Sequence, residues 1–277
     1  MAGNFWQSSH CQQWLLDRQD VLRERGNDLK NLSEEDYQKL MVFFANYIQA
    51  IGEGLKVRQQ VIATATVYFK RFYARKSLKC IDPFLLAPTC VFLASKVEEF
   101  GMMSTTKLTG TLANLLKTRY PYAPQEPIRV NQILEAEFFL LEMMDCCLIV
   151  YHPYRPLTQF LHDLAHSKEI KDENLSSLAW KICNDSLRTD VSLLYPPYQI
   201  ALACLHIASV MIGRDLKNWF AELSVDMEKV FEVMQYILSL YRLWKNFDEK
   251  EQVPLLLQKI GKPSLGPSLM DVNSCLL

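Results

Sequence analysis

Two histidines four residues apart, His162 and His166 in "HDLAH", are the nearest this chain comes to a catalytic metal motif. At i and i+4 they share one helix face, as in zinc hydrolases, where a glutamate beside the first histidine acts as the base. Here that place holds Asp163, one carbon shorter, and no third ligand stands nearby, so no metal site is expected. No glycine-rich phosphate loop or nucleophile motif is present; the chain reads as non-catalytic, and no cofactor is implied. The eight cysteines (11, 80, 90, 146, 147, 183, 204 and 275) form no CxxC pair. Several fall in apolar helical runs, where a thiol acts as a small hydrophobe, which fits a reducing compartment.

A different chemistry sits in "DPFLLAPTCVFLASKVEE", residues 82–99. Asp82 is a good N-cap and Pro83 suits the first helical position. The run from Phe84 to Ser95 has no charge, so this helix is expected to be buried on nearly every side. It then ends in Lys96, Glu98 and Glu99. A lysine near a helix C-terminus suits the macrodipole, but the two acids oppose it by about 0.3–1 kcal/mol each if they lie in the last turn. A demand from outside the helix would explain them.

The elements that must position these charges are helices. Apolar spacing near 3.6 dominates and no alternating strands appear, so the chain is all-α. Ser33 caps a helix that begins with acids and is expected to stop at Gly52. Further helices read at about 58–75, 83–97, 105–117 and 128–144, with the proline-rich 120–127 as a loop. A second set reads at about 156–166, 174–190, 197–212, 215–222 and 225–245. The uncharged stretch 191–213 is long enough to cross a bilayer, but Pro196, Pro197, Gln199 and His206 interrupt it, and a buried helix from about Pro197 is the better reading. The opening residues contain no apolar signal-peptide run.

The two sets repeat. "PFLLAPTCVFLASK" from Pro83 lies over "PYQIALACLHIASV" from Pro197 at an offset of 114, with Ala87/Ala201, Cys90/Cys204, Ala94/Ala208 and Ser95/Ser209 identical. At an offset of 97, "VNQILEAEFFLL" lies over "MEKVFEVMQYIL". A repeat of this length indicates two similar domains rather than a solenoid. The copies disagree where it matters: Lys96 faces Val210 and Glu137 faces Met234. Since one copy does without these charges, the scaffold does not need them, and buried charges are costly unless paired. They are either an internal pair or an anchor for another chain.

"LASKVEE" at 93–99 resembles the box motif of the cyclins, and "EAEFFLLEMMDC" at 135–146 resembles the fifth helix of their first box; Arg71 in "YFKRF" fits the second helix. The resemblance spans about residues 37 to 250 and implies tandem five-helix cyclin boxes preceded by an N-terminal helix. The expected divisions are an arm at 1–36, a first box at 37–150, a second at 151–253 and a flexible tail at 254–277. The opening "MAGNFWQSSHCQQWLLDRQ" and the second-box "YPPYQIALACLHIAS" are most similar to the transcriptional branch, which partners a Mediator-associated cyclin-dependent kinase.

That resemblance implies a nuclear, non-catalytic subunit that activates the kinase toward RNA polymerase II and transcription factors, beside further Mediator kinase-module subunits. It also implies that Lys96 and Glu137 bond kinase main-chain groups near its regulatory helix and that Glu98 and Glu99 meet kinase arginines. The peptide-docking patch of cell-cycle cyclins falls on Leu40–Phe44 and Tyr47, where "LMVFF" departs from the family's run and puts docking in doubt.

Two features lie beyond that motif. A helix over about Ser9–Arg25 would carry Cys11, Trp14, Leu15 and Leu22 on one side, packing on the first box, with Trp14 also a candidate kinase contact. Trp180 and Asn184 stand about 140–180° from the buried stripe of their helix, so Trp180, Asn184 and Asp185, with Trp6, are candidates for a second partner surface. Packing of Trp180 under the linker is the alternative. A net charge of −1 argues against direct nucleic-acid binding, and no membrane contact is expected.

Overall fold

A computed structural model describes residues 3–101, 103–124, 126–168 and 173–261. Among them there is no strand; the elements are a short 3₁₀ turn at Phe5–Gln7 and fifteen α-helices. These are α1 (Ser9–Gln13), α2 (Arg18–Glu24), α3 (Gly26–Leu29), α4 (Glu34–Leu55), α5 (Gln59–Arg75), α6 (Pro83–Val97), α7 (Thr105–Thr118) and α8 (Val130–Met143). Then follow α9 (Tyr154–Lys168), α10 (Glu173–Ser186), α11 (Val191–Leu194), α12 (Pro197–Met211), α13 (Lys217–Glu222), α14 (Met227–Lys245) and α15 (Glu249–Ile260). No described helix is long and apolar enough to cross a membrane; the uncharged 191–213 stretch is broken between α11 and α12, where Pro196 precedes Pro197.

The described residues fold as two units, one of residues 16–150 with 247–261 and one of residues 3–15 with 151–246. In the first, α6 is the central helix, packed by α4, α5, α7 and α8, which is why its residues from Pro83 to Ser95 are buried all round. Asp82 caps it by accepting from the Phe84 N–H at 2.9 Å. Helix α4 runs three residues past the expected stop. Gly52 lies inside it because a Cβ there would collide with Ile62 of α5, so this glycine permits close packing rather than an ending. In the second unit α12 takes the central place against α9, α10 and α14. Five principal helices per box, α4–α8 and then α9, α10, α12, α13 and α14, repeat the same order.

Two sequence expectations change. The arm is not one helix: it breaks at Trp14, and Asp17 starts a new helix by accepting from the Gln19 N–H at 2.7 Å. Its first part belongs with the second box, where the Tyr151 N–H donates to His10 Nδ1 (3.0 Å) and Phe5 meets the Tyr151 ring edge-on. Its second part packs on the first box through α2 and α3. Buried Asp28 accepts from Ser77 Oγ (2.5 Å) and the Leu78 N–H (3.0 Å), and Arg25 lies over the Tyr37 ring. The second change is at the end of the chain, where α15 continues to Ile260 and lies on α4. The expected tail beyond Gly261 is outside the described residues.

Candidate functional site: the end of the central helix

The site is built where α6 ends beside α8. Lys96, in the last turn of α6, donates from Nζ to Glu137 Oε2 of α8 at 2.7 Å. The second carboxylate oxygen, Oε1, stands 2.6 Å from the same ammonium and is buried, so both oxygens of the carboxylate face the lysine. The pair is lopsided: the glutamate side chain is 9% exposed and the lysine 46%. Lys96 Nζ also lies 4.6 Å from the Phe92 ring centroid, and that ring face favours the cation. A buried carboxylate is thus tethered by a cation that reaches water.

Behind this pair the chain turns through a Schellman cap. The Phe100 N–H donates to Ser95 O (3.0 Å) and the Glu99 N–H to Lys96 O (3.2 Å), which forces Glu99 into the left-handed region at φ 50°. The second box ends α12 with the same cap, Arg214 N–H to Ser209 O and Gly213 N–H to Val210 O, but with Gly213 at the left-handed position. At the offset of 114, Glu99 therefore stands where the sister copy uses glycine, at a cost of about 1–2 kcal/mol for a residue with a Cβ. Glu99 is exposed.

Glu98 is different. Its carboxylate accepts from Gln60 Nε2 (2.6 Å) and Thr64 Oγ1 (2.5 Å), side chains from the first two turns of α5. Its place at the end of α6 is explained inside the first box: unfavourable for its own helix, it lies beside the positive end of α5. Glu98 thus has partners within the first box, and Glu99 stands exposed beside it. Trp14 takes the packing role. It is 0% exposed, so its ring offers no surface to a partner and serves packing.

Sequence reasoning missed two residues beside the pair. Phe138 is 75% exposed, and Leu134, one turn back on α8, is also exposed. Helix α8 carries two apolar rows: Ile133, Ala136 and Leu140 face inward, Leu134 and Phe138 outward. The i, i+4 spacing of the outer row beside Glu137 was the available signal.

In the second box Trp180 stacks on Tyr154 (centroids 5.0 Å apart, planes at 9°), and Tyr154 Oη donates to Asn184 Oδ1 at 2.9 Å. Asp185 accepts from Tyr241 Oη at 3.0 Å, and burial raises its carboxyl above the ordinary range. Trp180 stays half exposed while locked flat, and Trp6, exposed, lies by Tyr198. His162 and His166 meet at 3.1 Å, while Asp163 accepts from Trp219 Nε1. No group of three or more candidate ligands gathers among the described residues.

Two five-helix boxes of one design, with a charged, partly desolvated pair on the first alone, define a two-box helical scaffold. Residues 15–149 match the family model of the cyclin N-terminal domain and residues 152–245 that of the cyclin C-terminal domain, so the chain belongs to the cyclin family. Cyclin-C of Rattus norvegicus is 62% identical over 270 residues, covering 97% of this chain and 94% of that one; Cyclin-C of Drosophila melanogaster is 60% identical, covering 96% and 99%. Among solved structures, a chain of the CAK complex of Chaetomium thermophilum bound to ATP-γ-S shares the fold (TM-score 0.76, 19% identity, 98% and 92% covered). A chain of the yeast TFIIK (Kin28/Ccl1/Tfb3) complex gives a TM-score of 0.63 at 26% identity, with 84% and 100% covered. As a cyclin, the chain is a regulatory subunit that activates a cyclin-dependent kinase and is not itself the catalyst.

Proposed function

We propose that this chain activates the cyclin-dependent kinase of the Mediator complex in the nucleus, and thereby the phosphorylation of RNA polymerase II and transcription factors. The observation that carries the docking site is the Lys96–Glu137 pair, present in one copy of a repeated scaffold and replaced by Val210 and Met234 in the other. Charge-assisted hydrogen bonds in a half-dry site are stronger than neutral ones, so the Lys96–Glu137 pair, with its lysine reaching water, suits main-chain groups at the kinase's regulatory helix. Phe138 and Leu134 supply the apolar ground beside them. Holding that helix inward lets its glutamate meet the lysine that positions ATP. Glu99 reaches for a kinase arginine, with Glu98 fixing the turn that presents it. Trp6, Trp180, Asn184 and Asp185 form a second surface for a further subunit of the kinase module.

The test is peptide phosphorylation by the Mediator kinase alone, with this chain, and with Lys96→Ala/Glu137→Ala. The double variant is chosen because removing lysine alone strands a buried carboxylate. Circular dichroism melts accompany each assay. Activation by the wild type that is lost in a folded double variant supports the reading. Equal activation by both makes the pair internal scaffolding and overturns the docking site.

A further inference from the structure

Among the described residues, large apolar side chains stand in water most densely along the seam of α12 and α14 in the second box. Val210 is 64% exposed, Met211 62%, Phe231 46% and Leu238 40%. This seam is the internal counterpart of the α6–α8 seam. At the offsets of 114 and 97, Val210 takes the place of Lys96, Met234 that of Glu137 and Phe231 that of the exposed Leu134. The repeat has kept the outward apolar position of Leu134 as Phe231, given Phe138 over to Gln235, and replaced the charged pair with apolar side chains.

The seam is built rather than frayed. His206 of α12 sits between the Phe220 ring of α13 (4.9 Å) and the Phe231 ring of α14 (5.9 Å), so Phe231 is propped by neighbours and presents a remaining face. The same face of α14 carries Arg242 and Lys245, four and seven residues beyond Leu238, both exposed. The seam is therefore apolar along most of its length and positive at one end.

We propose that this seam binds an amphipathic α-helix of another polypeptide, with apolar residues at i, i+4 and i+7 and acidic residues in its first turn. A furrow between two packed helices accepts a third by ridge-into-groove contact. Without a lysine–glutamate pair, the seam holds its occupant by side chains rather than main-chain ends. Arg242 and Lys245 select the acidic end, which also suits that helix's own dipole. The analogy with the first seam rests on its reading as a kinase-docking site, but the experiment below reads the second seam alone.

The probe is a fluorescein-labelled, hydrocarbon-stapled helix with leucines at those spacings and three glutamates in its first turn; its scrambled isomer is the control. Anisotropy titrations use the full chain, Val210→Lys/Phe231→Gln, Arg242→Glu and Lys96→Ala/Glu137→Ala, each checked by a thermal melt. The wild type binds the designed helix, and Val210→Lys/Phe231→Gln weakens it at least about tenfold while kinase activation is unchanged. Arg242→Glu weakens it at low salt, and a probe with lysines for glutamates restores binding to that variant. Lys96→Ala/Glu137→Ala binds the probe as the wild type does. The proposal is overturned by equal binding of the scrambled isomer, by affinity insensitive to Val210→Lys/Phe231→Gln, or by no measurable binding. If Lys96→Ala/Glu137→Ala leaves kinase activation intact, only the first-seam reading fails.

Discussion

Glu98 and Glu99 are neighbours of one type in opposite settings, one bonded and one exposed, and the difference is measurable. Glu98 is satisfied at home, so Glu98→Ala removes two charge-assisted hydrogen bonds from Gln60 and Thr64. A loss of about 1 kcal/mol in urea unfolding is expected, with reduced kinase activation only as far as the turn loosens. Glu99 holds a left-handed backbone that its sister position gives to Gly213. Relief of that strain, less the added freedom glycine gives the unfolded chain, should make Glu99→Gly more stable by about 0.5–1 kcal/mol. The same variant should activate the kinase less well. A stabler chain with full activation would remove Glu99 from the interface. Residue types revealed part of this: an uncharged helix ending in lysine and two acids pointed to the site. They did not reveal the difference between the acids, because Gln60 and Thr64 lie more than thirty positions away and only the packing of α5 on α6 brings them to Glu98.

At the scale of elements, the ten box helices were legible from apolar spacing of helical period, and several, such as α4, α6 and α12, also have a cap or proline to mark their start. The arm and α15 were not. In the arm, periodicity ran through Trp14, but Asp17 offers a stronger local start, and that competition is settled by what each half packs on. In α15, Pro254 and the proline, glycine and serine residues further on hid a short helix held by Val253, Leu256 and Ile260. Asn46 Nδ2 donates to Glu249 Oε1 (2.5 Å) and Lys259 Nζ to Asp36 Oδ2 (2.8 Å), and the lysine bond draws the Asp36 carboxyl below its ordinary value of 3.8. Val253 is fully buried, so Val253→Asp should free α15 and lower the melting temperature by several degrees, with faster proteolysis confined to the chain end. A second element-level test concerns the joint of α12, α13 and α14. Burial pushes the His206 imidazole below its ordinary 6.5. The unfolded chain then takes up the proton first, so this site's stability is full above about pH 6.5 and is lost as pH falls through that value. His206→Phe should flatten the melting temperature over that window relative to the wild type. Parallel slopes for the two proteins would place the titration elsewhere.

For the whole molecule, the duplicated design was the most legible feature, because offsets of 114 and 97 align stretches of fourteen and twelve residues while small residues at matching positions keep the same close packing. What duplication alone leaves open is the partner, since a double box with a basic face would suit DNA as well as a kinase. Charge decides between them. Thirty basic residues against thirty-one acidic ones leave no net attraction for a polyanion, and the exposed end of the first-box site carries Glu99. A protein that neutralises several phosphates loses affinity steeply with salt, with a logarithmic slope of about −0.9 per phosphate. This chain should show neither retention on a duplex-DNA column at low salt nor such a slope. Its association with the kinase should instead weaken only modestly with salt, because the Lys96–Glu137 site is half shielded and flanked by the apolar Phe138 and Leu134. A DNA slope worth several phosphates would reverse the assignment of partner. Kinase binding abolished by moderate salt would mean that exposed charges such as Glu99, rather than the seam of α6 and α8, hold the complex together.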